Sequence, residues 1–150
     1  MEPASAPENQ SLHIHCDIGE LSAVRDALKD FLSDSFDRID TNRIILSVDE
    51  ALANIVEHSY APDAPETQAG IDLSMQRTPA LVRFIIEDRG PVFDPTRLPP
   101  PNLEEHARNT NDGGLGVFLY MTLMDEVRHE EREGGGNRLI LGKRYARQDS

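Results

Sequence analysis

Hydrophobic residues recur at three- and four-residue steps in two stretches of the chain, a spacing that predicts amphipathic helices. The stretches cover residues 19–32 and 46–60. Their repeating positions are Leu21, Val24, Leu28 and Phe31 in the first and Val48, Leu52, Ile55 and Ser59 in the second. Asp40 or Thr41 suits the N-cap of the second helix, which we expect to end before Pro62. Each helix therefore presents one apolar face to a core.

Apolar and polar residues alternate elsewhere, and this alternation predicts half-buried strands. We expect strands over residues 12–16, 71–75, 82–86, 126–131 and 137–144. The second and third form a hairpin around Thr78-Pro79-Ala80, and the last two are joined across three glycines. The remaining ends, residues 1–11 and 146–150, are expected to be tails, the first of them disordered, around a single domain over residues 12–145.

The net charge of the chain limits the kinds of partner that it can bind. The chain of 150 residues carries 15 basic and 27 acidic side chains, a formal net charge of −12. This balance argues against nucleic acid and anionic membranes as partners, because both need a basic surface. A bound phosphate would have to be held by backbone N–H groups, a metal ion or one or two arginines. The lone Cys16 excludes an internal disulfide, and no apolar run of 18 residues occurs, so we expect a cytoplasmic protein.

Three polar residues recur every fourth position along one flank of the second helix: Glu50, Asn54 and His58. Residues four apart on a helix lie on the same edge. A carboxylate one turn from a carboxamide suits the coordination of Mg²⁺ and the orientation of a hydroxyl or water. A solvated helix flank shows the same pattern, and for Glu50 and Asn54 alone it is the favoured interpretation, because short motifs often match by chance.

A second candidate lies where the strand over residues 82–86 runs into Asp88-Arg89-Gly90-Pro91. Proline cannot continue a strand ladder, and glycine allows a close approach that a Cβ would block. Asp88 can accept a hydrogen bond from an exocyclic amine while a flat ring lies against Gly90. An ordinary turn after a strand is an equally good interpretation of these residues alone.

The third candidate is the segment that follows. Residues 91–112 are rich in proline and polar side chains, and a connection of this length is typical of a functional lid or a disordered insert. It leads into Gly113-Gly114-Leu115-Gly116 and then a helix with Phe118, Leu119, Thr122 and Leu123 at core spacing. A glycine-rich loop at a helix N-terminus offers free N–H donors to a phosphate.

Taken together, the three stretches resemble the N, G1 and G2 boxes of the GHKL ATPases, in their order and approximate spacing. The stretches read EALANIVEH from Glu50, DRGPVFDP from Asp88 and GGLGVFL from Gly113. Within that superfamily the chain is similar to the anti-sigma-factor serine/threonine kinases of bacterial partner-switching systems. The resemblance extends to the sequences LMDEV from Leu123 and GNRL from Gly136, and it covers residues 12–145.

This resemblance implies a role for each matching residue. Asn54 would coordinate the Mg²⁺ that bridges the ATP phosphates. Glu50 would orient or deprotonate the acceptor hydroxyl, chiefly by positioning it, because a carboxylate of ordinary pKa is a weak base. Asp88 would accept from the adenine amino group, and Gly90 would let the ring approach.

The same resemblance places the ATP phosphates and a lid. The phosphates would lie at Gly113, Gly114, Leu115 and Gly116, with residues 96–112 as the lid. No basic residue stands immediately before these glycines, so Arg108 or Arg97 is left to supply positive charge to the γ-phosphate. For His58, helix packing and catalysis both remain open.

The implied fold is an α/β (α+β) two-layer sandwich of the Bergerat type. Its sheet is expected to be mixed and mostly antiparallel, with about five strands and three helices on one face. From the length of the chain we expect it to lack the additional domains of a sensor histidine kinase, a gyrase or a mismatch-repair ATPase.

The implied activity is that of an ATP- and Mg²⁺-dependent serine/threonine kinase. It would phosphorylate an anti-anti-sigma partner with a STAS domain and would sequester a sigma factor, in a bacterial cytoplasm. A homodimer is left open. The alternative is a non-catalytic module of the same fold that acts by sequestration, but the Glu50/Asn54 pair favours the enzyme because pure binding needs no base.

Overall fold

In the part of the chain that the structure describes, five strands form one sheet and three helices cover one of its faces. The structure, a computed structural model, describes residues 9–15, 17–33, 35–58, 70–98 and 114–145. In chain order the elements are β1 (Asn9–Ile14), α1 (Leu21–Leu32), α2 (Arg38–His58), β2 (Ile71–Arg77), β3 (Leu81–Asp88), α3 (Gly114–Leu123), β4 (Glu126–Glu131) and β5 (Asn137–Arg144). Short 3₁₀ turns occupy Ile18–Glu20 and Pro95–Arg97.

The strand order is β1-β2-β3-β5-β4. Each of the four pairings within the described chain is antiparallel, which confirms the expected sandwich, but the described sheet has no parallel pair and is therefore not mixed as expected. Strands β3 and β4 run in the same direction, but β5 inserts between them and pairs with both. This insertion explains why the β3–α3–β4 crossover produces no parallel neighbours.

The core lies between the helices and one face of the sheet. The predicted apolar faces of α1 and α2 are buried as expected, apart from Ser59, which is outside the described residues. The predicted hairpin is confirmed, because alternate residues of β2 and β3 are fully buried: Ile71, Leu73, Met75, Val82, Phe84 and Ile86. The bounds predicted for β4 and β5 also match.

Helix α2 begins earlier than the sequence pattern suggested. Asp37 precedes the helix, and its Oδ1 accepts a hydrogen bond of 2.7 Å from the N–H of Asp40. This is the geometry of an N-cap side chain, so the prediction of Asp40 or Thr41 as the cap is wrong. The pattern misled because the first turn, from Arg38, has no apolar residue on the core face.

Replacing Asp37 with alanine should therefore destabilise the fold by about 1 kcal/mol, the usual cost of losing an N-cap. Asp37→Asn should cost much less, because asparagine caps helices about as well. Urea denaturation of the three proteins measures the difference. Equal stability of the alanine variant and wild type would show that this cap contributes nothing.

Helix α3 buries a different face from the one predicted. Its buried residues are Gly116, Val117 and Tyr120, and Met124 just beyond it is buried too. Thr122 is exposed, and Phe118, Leu119 and Leu123 are only half-buried. The helix is apolar on most sides, so its sequence carries little information about which face meets α2.

Strand β1 lies over Asn9–Ile14 rather than residues 12–16, so it includes the last three residues of the segment expected to be a tail. Its register with β2 runs from Asn9 opposite Gln76 to Ile14 opposite Ile71. Main-chain pairing sets this extent, since Asn9 and Ser11 are exposed and carry no hydrophobic signal. In the described ranges no helix is long and apolar enough to cross a membrane.

Candidate nucleotide site

The Glu50 carboxylate lies directly against the first turn of α3. A Cβ built on Gly116 would stand 2.6 Å from Glu50 Oε2, closer than any real carbon contact. A side chain at this position would have to displace the end of the Glu50 side chain, so glycine lets the carboxylate lie against the helix. The first N–H groups of a helix have no intrahelical partner, so this arrangement brings a carboxylate beside a ready anion-binding helix end.

The pKa of Glu50 is raised above its ordinary value. Partial burial is the largest cause, and the charges of Asp49 and Glu57 on the same helix add to it. A carboxylate with a raised pKa is a better proton acceptor than a free one. This position and the raised pKa would suit the predicted role of Glu50 beside an acceptor hydroxyl, which stays a prediction.

Asn54, one turn along α2, holds a buried polar atom. Its Nδ2 is inaccessible to water and finds no hydrogen-bond partner in the described part of the chain. Leaving a buried amide unsatisfied costs free energy, and the N and O ends of an amide exchange by a simple flip. Nδ2 can donate to a phosphate oxygen, or Oδ1 in its place can coordinate a cation, so the residue suits Mg²⁺ and phosphate.

Asp88 ends β3 and is almost fully buried, at 3% exposure. Its Oδ1 accepts hydrogen bonds from the Gly90 N–H (2.8 Å) and from Asn137 Nδ2 (3.1 Å). Gly90 is itself buried beside it. The structure therefore brings Asp88 and Gly90 together, as the predicted base site requires.

Asn137 stands opposite Asp88 in the β3–β5 register. Its Nδ2 also donates to the Pro91 carbonyl oxygen (2.9 Å). Its Oδ1 accepts from the Phe93 N–H (2.8 Å) and lies 2.7 Å from His129 Nε2. Both donor hydrogens and both acceptor positions of this amide are thus engaged.

The loop after β3 continues into the Pro95–Arg97 turn. Asp94 caps that turn by accepting from the Thr96 N–H, and hydrogen bonds from Thr96 hold the pKa of Asp94 below its usual value. Arg97 Nε lies 3.4 Å from Asp94 Oδ2 and its side chain is mostly exposed, so its predicted contact with the γ-phosphate stays a prediction. Burial raises the pKa of Tyr120 on α3, and the charge of Asp94 contributes, which places this loop near α3.

The structure describes only some of the predicted site residues. Gly113, Arg108 and most of the predicted lid fall outside the described residues. Gly114 and Leu115 were expected in the loop before the helix, but they form the start of α3, and only their backbone is described. The backbone of His58 ends α2, so its two open roles remain open.

Sequence reasoning did not give a role to Asn137 or His129. Asn137 directly follows the three glycines, and a correct β3–β5 register would have paired it with Asp88. In antiparallel pairs, opposite residues point to the same face, so the register alone carries that signal. His129, on β4, had no motif to mark it.

The chain is similar to known proteins in sequence and in fold. The family model described as a histidine kinase-like ATPase domain matches residues 14–143. The serine/threonine-protein kinase BtrW of Bordetella bronchiseptica is 34% identical over 91 residues, 61% of this chain and 62% of that protein. The serine-protein kinase RsbW of Staphylococcus epidermidis is 34% identical over 97 residues, 62% of this chain and 58% of that protein.

The chain thus aligns with about three fifths of the length of these curated relatives. A crystal structure of the RsbU and RsbW domains of Rv1364c from Mycobacterium tuberculosis has the same fold, with a TM-score of 0.61 at 24% identity. That match covers 93% of this chain and 33% of the other. With a family model that spans nearly the whole chain, the protein belongs to the histidine kinase-like ATPase domain family.

Proposed function

We propose that this protein is an ATP-dependent protein kinase that transfers the γ-phosphoryl group to a serine or threonine of a partner protein. The contact that carries the proposal is Glu50 Oε2 against Gly116, which places a carboxylate beside the N-terminus of α3. The relatives named serine kinases support it, because each is 34% identical to this chain, over 91 residues in one and 97 in the other.

In the proposed reaction the acceptor hydroxyl oxygen forms a bond to the γ-phosphorus. The bond from that phosphorus to the β–γ bridging oxygen breaks, and ADP leaves. Glu50 orients the hydroxyl and takes up its proton or passes it to water. The backbone N–H groups at the start of α3 hold phosphate oxygens, where developing charge is stabilised by donors that are already oriented.

Asn54 would hold Mg²⁺ and phosphate, because its buried amide Nδ2 has no hydrogen-bond partner in the part of the chain that the structure describes. When bound, Mg²⁺ supplies charge neutralisation between phosphate oxygens. Asp88 is assigned to adenine recognition. Its Oδ1 is held by Gly90 and Asn137, so we assign Oδ2 to the exocyclic amine of adenine.

As partners we propose an anti-anti-sigma protein with a STAS domain, which receives the phosphoryl group, and a sigma factor that the kinase sequesters. The support is the resemblance of the three motifs together with the relatives named RsbW and BtrW. The proposed location is the bacterial cytoplasm.

Replacing Asp88 with asparagine should weaken ATP binding by about 10- to 100-fold. A hydrogen bond to a charged group is worth about 1.5–3 kcal/mol, and the variant would offer a neutral amide in place of the carboxylate. Calorimetry with ATP measures the change. Asp26→Asn, which removes one charge from the exposed face of α1, is the matched control and should bind like wild type.

The transfer itself is tested by incubation with γ-labelled ATP and candidate single-domain STAS proteins. Label on a serine or threonine of one of them supports the kinase. Stable complexes with such partners, without label transfer at any Mg²⁺ concentration, would show that the protein acts by sequestration instead.

A further inference from the structure

The amide of Asn137 has a fixed orientation. Its Nδ2 faces the Asp88 carboxylate and the Pro91 carbonyl oxygen, which can only accept hydrogen bonds. Its Oδ1 faces the Phe93 N–H, which can only donate. A flip of this amide would therefore break three hydrogen bonds, so the network itself assigns which end is nitrogen.

This orientation also assigns the histidine beside it. Because Asn137 Oδ1 is an acceptor, His129 Nε2, 2.7 Å away, must carry the hydrogen. The His129 side chain is only 6% exposed, so its ring is largely shielded from water. A chain of hydrogen bonds thus runs from His129 through Asn137 to Asp88.

We propose that Asn137 and His129 are positioning residues for nucleotide base recognition. Asn137 fixes the Asp88 carboxylate so that its second oxygen meets the exocyclic amine, and His129 fixes the Asn137 amide. Neither residue needs to touch the nucleotide. The inference rests on the proposed adenine site and adds the two residues that set its selectivity.

The physical reason is preorganisation. A carboxylate can rotate about its Cβ–Cγ bond, and a rotated Asp88 would present a poor angle to the amine, whose hydrogen bond weakens steeply with misalignment. Two donors on Oδ1, from Gly90 and Asn137, oppose this rotation. A fully satisfied buried network is rigid, whereas loss of one member leaves its partners unsatisfied.

Loss of a residue that only supports the fold would weaken the binding of all nucleotides alike. Loss of a positioning residue would weaken the binding of ATP in particular, and this difference gives the test. Binding of ATP is compared with binding of purine riboside triphosphate, which lacks the 6-amino group. Wild type should prefer ATP by about tenfold or more, the effect of one charge-assisted hydrogen bond. Asn137→Ala should reduce this preference to about threefold or less, chiefly through weaker ATP binding.

His129 provides a pair of variants that keep Asn137 in place. His129→Gln retains an N–H donor of similar reach and should retain the preference for ATP. His129→Leu, which has no donor, should lower it. If Asn137→Ala does not fold, this pair decides the question by itself, because it compares two replacements at one buried position.

The outcomes are distinct. Equal weakening of both nucleotides in Asn137→Ala and His129→Leu would overturn the inference and leave the ATP site intact. A wild type that binds both nucleotides equally would refute the role of Asp88 in the proposed function, and this inference with it. The double variant Asp88→Asn/Asn137→Ala should lose no more of the preference for ATP than Asp88→Asn alone, because both substitutions act on one hydrogen bond.

Discussion

Glu50→Gln should lower phosphoryl transfer by about 10²- to 10⁴-fold, the usual contribution of a positioned acid–base group. Glutamine has nearly the same shape and helix propensity, so α2 and its contact with Gly116 should persist. ATP affinity should change little, because Asn54 and the N-terminus of α3 are untouched. The expected product is a stable ATP complex that does not turn over.

The pH dependence of transfer follows from the raised pKa of Glu50. Transfer needs the ionised carboxylate, so the rate of the wild-type protein should rise with pH through this raised pKa and level off above it. The Gln variant should lack that rise. A rate profile measured at saturating ATP separates this ionisation from effects on nucleotide binding.

Glu50→Gln should change the free energy of unfolding in the opposite direction from the transfer rate. A carboxyl group whose pKa is higher in the folded than in the unfolded state favours folding less when it is ionised. Its unfavourable contribution is absent below the unfolded pKa and grows as the pH rises through the folded one. Glu50→Gln removes that contribution, so at neutral pH the variant should be at least as stable as wild type.

Asp26→Asn is again the matched control, since it removes a carboxylate from an exposed helix face without touching α2. It should leave the rate and the pH profile unchanged. Transfer by Glu50→Gln at the wild-type rate would show that Glu50 is not the reacting base. A large loss of stability in that variant would instead point to a structural role for its charge.

The sequence could predict most of the fold because its elements have clear periodicity. The alternation in β2 and β3 and the stripes of α1 and α2 each identify one buried face, and the structure confirms them. The pattern fails where a helix is apolar on most sides, because it then does not indicate which face is buried. In α3, which is apolar on most sides, the buried residue Tyr120 replaced the predicted Phe118 on the core face.

Local motifs in the sequence mark Glu50, Asn54 and Asp88 as candidate site residues, and their roles stay predictions. What the sequence could not supply are contacts between residues far apart in the chain. The Asp88–Asn137 pair spans 49 positions and depends on the β3–β5 register, and the Glu50–Gly116 contact depends on how closely α2 and α3 cross. Register and crossing distance are set by the whole core, which no short motif encodes.

The β4–β5 turn gives a second large expected effect. Gly136 has a φ of +111°, and a Cβ there would collide with the Asp88 carbonyl oxygen and stand 2.9 Å from Arg89 Cα. Gly136→Ala thus combines a strained backbone, which costs about 1–3 kcal/mol, with overpacking that costs about 1–3 kcal/mol more. It should also displace the end of β3, so ATP binding should weaken together with stability.

Gly135 provides the control, since its φ of +103° is similar and a Cβ there meets nothing within 4 Å. Gly135→Ala should lose only the cost of the strained backbone, about 1–3 kcal/mol, and should bind ATP like wild type. Urea denaturation and calorimetry of both variants, at a temperature where each is folded, separate the two effects. If the variants lose equal stability, the turn can move away from Asp88 without cost. If Gly136→Ala is less stable yet binds ATP normally, the collision is relieved on the β5 side, and the Asp88 backbone does not depend on this close approach.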